Sequence, residues 1–129
     1  MVLMTQIFLS VAAVLGGLSV AAGAFASHAL REKISERSLE IFETGARYQM
    51  YHALALLLVA LLISRNEPPQ STLVASGWLF IIGIAIFSGS LYALSLTGIK
   101  SLGAITPLGG AAFLAGWGAL AFGAWSLKF

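Results

Sequence analysis

Cysteine is absent from this chain of 129 residues, aspartate is absent, and only 9% of its residues are charged. Without cysteine there is no disulfide framework, no thiolate zinc site and no iron–sulfur cluster, and the chain is silent on redox compartment. All five acids are glutamates, and four of them crowd into one stretch, Glu32, Glu36, Glu40 and Glu43. The net charge of +2 is too small to argue for nucleic acid. No glycine-rich phosphate loop follows a strand pattern, and no serine stands in a nucleophile arrangement, so an enzyme is not expected. The two histidines, His28 and His52, have no carboxylates converging on them, which makes a poor first set of ligands for a metal or haem, so no cofactor is expected.

What the chain has instead is apolar mass. At 59% apolar and a mean hydropathy of +0.94 it lies far from the soluble range of roughly 45–50% apolar and about 25% charged. The bilayer is its expected solvent. A hydrocarbon core of about 30 Å needs roughly 20 helical residues, and four runs meet that length, near residues 5–27, 46–64, 72–96 and 106–126. The first could imitate a signal peptide, since Ala24-Phe25-Ala26 is a small-x-small triplet. No Lys or Arg precedes the run, however, and it exceeds a signal core of about 7–15 residues, so a spanning helix is expected. Arg65 through Pro69 stops the second run, and Thr106-Pro107 opens the fourth, with proline where its missing N–H costs nothing.

The expectation is therefore an all-α membrane protein. It has four transmembrane helices in a compact bundle forming a single domain over 1–129, with a short amphipathic interfacial helix at 29–44 between helices 1 and 2. In that connector Lys33 with Glu36, Arg37 with Glu40 and Glu43 with Arg47 have ion-pair spacing. Leu30, Ile34, Leu39, Ile41 and Phe42 suit the headgroup layer. Lipid tails are as apolar as leucine, so the helices must associate through close approach of small residues. Stripes containing Ala12, Gly16, Ser19, Gly23 and Ala26, then Ala85, Ser88 and Gly89, then Ala112, Ala115, Gly116 and Gly123 are the candidates, with Gly16, Gly23, Gly89 and Gly116 as the closest contacts.

The chemistry-bearing stretch is Glu43 to His52, where a polar helix end runs into ALALLLVALLI. With Tyr48 at zero on a helical wheel, His52 falls at about 40°, Gln49 at about 100° and Tyr51 at about 300°. This side must face protein or water. The candidate polar cluster is His52, Tyr48, Gln49, Tyr51, Arg47 and Glu43, joined by Tyr92 from the third helix and His28 from the end of the first. One reading makes it an aromatic belt with interhelical hydrogen bonds, in which His52 is neutral and bonded to Tyr48, Gln49 or Tyr92. The other makes His52 a carrier on a route for protons or a small solute. The functional expectations follow the same division. The first is a non-enzymatic accessory or assembly component packing against other membrane subunits. The alternative is a small oligomeric transporter or channel. Partners are the lipid bilayer and, as a homo-oligomer or part of a larger membrane complex, other helices.

Lys and Arg fall five against two on the two sides, Arg31, Lys33, Arg37, Arg47 and Lys100 opposing Arg65 and Lys128. That asymmetry places both termini outside and loops 1 and 3 in the cytoplasm.

Four segments, GAFASHAL at Gly23–Leu30, FETGARYQMYHALALL at Phe42–Leu57, FSGSLYAL at Phe87–Leu94 and ITPLGGAAFLAGW at Ile105–Trp117, together resemble domain-of-unknown-function family 423. The likeness spans all four helices in order, with Ala26 standing where the family is expected to carry glycine. It implies a multi-pass protein of the bacterial inner membrane and carries no activity with it. Small multidrug exporters, also four helices of this length, need a glutamate buried in the first helix, and this first helix has no acid.

Overall fold

Four apolar segments of 26 to 29 residues wind into helix because a chain in lipid must satisfy every backbone N–H and C=O within itself. A computed structural model describes residues 2–66 and 68–129. Its helices are α1 (Val2–Leu30), α2 (Glu36–Ser64), α3 (Ser71–Thr97) and α4 (Thr106–Trp125), the last preceded by a 3-10 turn at Lys100–Ala104. Among the described residues there is no strand. α1 and α2 form one tightly packed antiparallel pair, and α3 and α4 form another. α2 joins the pairs by packing on α3, while the backbones of α2 and α4 hardly approach each other. α2 is accordingly the most enclosed helix of the four.

The core between the pairs is built from Phe8, Leu56, Val59, Ile63, Leu73 and Phe80, each with 0% exposure. A smaller second core lies at the other end, where Ala26 and Leu30 close on Phe42. Ala26 is wholly buried there, so its methyl group is accommodated.

The separate interfacial helix expected over 29–44 is not present. α1 continues through a π-helical turn at Ala26–Leu30, and α2 starts at Glu36, capped by the Ser35 hydroxyl oxygen accepting the Ser38 N–H at 3.0 Å. Only residues 31–35 lie between the two helices. Leu30 and Phe42 are buried in the second core, with Ile34 and Leu39 packed against it, so these side chains face protein rather than headgroups. Of the expected ion pairs, Arg37–Glu40 forms at 3.4 Å and is the only one among the described residues. Arg47 instead donates to Thr44 at 3.1 Å.

The small-residue contacts also differ from expectation. A Cβ at Gly116 would meet Phe80 Cε1 at 2.7 Å, a true close approach, but Gly16, Gly23 and Gly89 have nothing within 4 Å. The tightest glycines are Gly77 under the Phe8 ring, Gly83 under the Phe113 ring and Gly109 against the Phe87 backbone. In α3 the reason is a π-helical turn at Ile84–Ser88. A wider turn advances the register, so the face turned inward runs through Ile84, Ser88 and Ser95 while Ala85 and Gly89 are exposed. In α4 the inward stripe alternates glycine with bulk, as Gly109, Phe113, Gly116, Leu120 and Gly123.

Candidate functional site

α2 carries its polar residues into the bundle, and there they separate into two hydrogen-bonded groups on different sides of the helix. On the side toward α1 and α3, Tyr92 donates its hydroxyl to Gln49 Oε1 at 2.7 Å, and Gln49 Nε2 donates to the Leu15 carbonyl at 2.7 Å. Gln49 thereby ties three helices together. Two serines bind the turn just before it: Ser19 of α1 donates to the Ala46 carbonyl, and Ser88 of α3 donates to the Gly45 carbonyl, both at 2.7 Å. Gly45 is where a side chain would strike Tyr92, its Cβ position lying 3.0 Å from that ring. The glycine that looks like a helix breaker is thus the residue that lets α3 approach α2.

On the other side His52 occupies the gap between α2 and α4. Its Nδ1 bonds the Tyr48 carbonyl at 2.7 Å, and its Nε2 receives the indole N–H of Trp117 at 3.1 Å. A carbonyl only accepts and an indole only donates. The pair of partners therefore assigns the tautomer: Nδ1 carries the proton, Nε2 offers its lone pair, and the imidazole is neutral. The ring also stacks on Phe113, with centroids 3.5 Å apart and planes within 6°. Phe80 and Trp117 also pack against the ring, and His52 is 4% exposed. Every buried side-chain nitrogen or oxygen among the described residues has a partner.

Of the expected cluster, Tyr48, Gln49, His52 and Tyr92 are drawn together, though in two groups rather than one. Tyr51 stays outside, 52% exposed and edge-on to Tyr48. Glu43 and Arg47 border a shallow groove of about 310 Å³ between α1 and α2 without bridging. His28 sits exposed on the π-helical turn of α1. It is opposite the start of α2, whereas His52 lies 16 residues into that helix, about 24 Å along the axis. The expected His52 partners Gln49 and Tyr92 bond each other. Trp117 and Phe113 were not anticipated. The available signal was that a tryptophan ten residues inside a helix must find an acceptor for its N–H, and His52 is one of very few acceptors at that depth.

Between α2 and α4, where the backbones stay apart, a furrow opens sideways from the bundle. Its deeper part, about 710 Å³, is walled by Tyr48, Tyr51, His52, Leu114 and Trp117 and floored by Phe87 and Phe113. Its outer part, about 500 Å³, is bordered by Arg37, Glu40, Thr44, Arg47 and Thr106. Phe87 lines both parts, so they lie side by side against its ring.

Comparison with known proteins finds the same arrangement of sequence elsewhere. The family model described as "Protein of unknown function (DUF423)" matches residues 22–110. The UPF0382 membrane protein YwdK of Bacillus subtilis is 47% identical over 112 residues, covering 87% of this chain and 90% of that protein. A UPF0382 membrane protein of Haemophilus influenzae is 43% identical over 121 residues, covering 94% of this chain and 95% of its own length. One from Staphylococcus haemolyticus is 40% identical over 112 residues, with 87% and 89% covered. No solved structure matches the chain.

Proposed function

Because this chain belongs to the DUF423 family, whose relatives are UPF0382 membrane proteins, we propose that it works as a small non-enzymatic accessory component of the inner membrane, packing beside other membrane subunits. One observation carries the reading. His52, the deepest ionisable side chain in the bundle, has both ring nitrogens engaged and one face covered by Phe113. To take up a proton, Nε2 would have to turn a donor toward the Trp117 N–H, itself a donor. The group best placed to carry protons is thus used to join α2 to α4. Gln49 holds α1 and α3 in the same manner, and Ser19 of α1 and Ser88 of α3 bind backbone carbonyls of α2. The charge count supports an orientation with both termini outside and the loops after α1 and α3 in the cytoplasm.

The test compares this reading with an oligomeric proton or solute transporter. Protein reconstituted in liposomes should leave an imposed pH gradient intact, and gentle solubilisation of native membranes should recover it with a partner at fixed stoichiometry. A proton flux abolished by His52→Gln, in a variant that keeps its thermal stability, would replace the accessory role with transport.

A further inference from the structure

The furrow between α2 and α4 has the shape and the chemistry of a site for a single phospholipid, a function that goes beyond the accessory role. Its deep part is mostly aromatic and aliphatic, and its outer part carries charges and hydroxyls beside Ile41 and Leu91, so the two ends suit the two ends of an amphipathic molecule. The dimensions agree. From Thr106 at the outer end to Trp117 at the inner end is about 16 Å along α4, and one leaflet of a 30 Å hydrocarbon core is about 15 Å deep. An acyl chain entering beside Pro107 therefore reaches Trp117 without leaving its own leaflet. The volume of about 710 Å³ falls within the roughly 300–1,000 Å³ usual for small-molecule sites. Gly110 and Ala111, with almost no side chain, keep the α4 wall open.

The outer end carries both signs of charge. Arg47 bonds only a neutral hydroxyl among the described residues, that of Thr44, so its remaining guanidinium donors are available to a phosphate. Among the described residues the Glu40 carboxylate is engaged only by Arg37, at 3.4 Å with both side chains largely exposed, a pairing of negligible strength that a ligand ammonium can displace. An anionic headgroup would satisfy Arg47 and be repelled by Glu40, while a quaternary amine could not donate a hydrogen bond to it. We propose that the furrow binds a phosphatidylethanolamine-type lipid, its phosphate on Arg47, its primary ammonium on Glu40 and one acyl chain lying between Tyr48 and Leu114 down to Trp117.

The experiment uses the full chain with Trp78→Phe and Trp125→Phe, leaving Trp117 as the reporter, delipidated in detergent and titrated with phosphatidylethanolamine carrying brominated acyl chains, which quench a tryptophan in contact. Saturable quenching is expected. Arg47→Gln should weaken it about tenfold through loss of the charge-assisted bonds. Glu40→Gln should erase the preference over brominated phosphatidylcholine. Ala111→Phe, at an exposed wall position, should abolish quenching with an unchanged melting temperature. Three outcomes would overturn the proposal: quenching that rises linearly with lipid and ignores all three variants, equal or tighter binding of phosphatidylglycerol, or a Trp117 already shielded by a second copy of the chain and quenched only when that dimer dissociates.

Discussion

The Trp117 indole N–H points at the lone pair of His52 Nε2 across 3.1 Å, joining helices whose backbones hardly touch. This bond fixes the ring: the Tyr48 carbonyl demands a proton on Nδ1, and Trp117 demands none on Nε2.

The tautomer is directly measurable. Nitrogen-15 chemical shifts of labelled His52 at neutral pH should show a protonated Nδ1 and a bare Nε2. Trp117→Phe keeps the aromatic packing and removes the donor, so it should lower thermal stability in detergent by the value of one interhelical bond, about 0.6 kcal/mol and at most about 1.7. An Nε2-protonated ring in the wild type would refute the assignment.

Gly109 and Gly16 should respond in opposite ways to the same change. A methyl group at Gly109 collides with the Phe87 backbone, which cannot rotate away, whereas one at Gly16 meets open space. Gly109→Ala should destabilise the α3–α4 pair by at least the roughly 1–3 kcal/mol of an overpacked core, while Gly16→Ala stays neutral or gains slightly from helix propensity. Melting temperatures of the two variants decide it, and equal losses would contradict this packing.

Tyr92 and Gln49 should be coupled. Removing the Tyr92 hydroxyl leaves Gln49 Oε1 without a donor in a buried site, and replacing Gln49 strands that hydroxyl in turn. A double-mutant cycle with Tyr92→Phe and Gln49→Leu should return an interaction energy on the order of 1 kcal/mol, and additive effects would mean the bond does not hold α3 to α2.

Orientation has its own check. A carboxy-terminal reporter active only in the cytoplasm should be silent, and one active only outside should give signal. The reverse would set aside the positive-inside count.

The number of helices and their solvent were already determined by the sequence, because each depends on local quantities, whereas the second helix, expected from residue 46, begins ten residues earlier at Glu36. About 20 apolar residues span a bilayer, and helix is the form in which such a segment satisfies its own backbone. The concentration of hydrogen-bonding chemistry in residues 43–52 was equally legible. Which face of each helix turns inward was not, and the physical reason is the solvent: lipid offers no contrast to an apolar side chain, so periodicity does not tell core from surface. A uniform 100° wheel also cannot anticipate the π-helical turns at Ala26–Leu30 and Ile84–Ser88, the second of which advances the register and turns Ala85 and Gly89 outward. Only the tertiary structure could decide that Gly109 rather than Gly16 meets a neighbouring helix. It likewise decided that His52 pairs with a tryptophan 65 positions away in the chain and that Gln49, one helical turn earlier, belongs to a different set of partners.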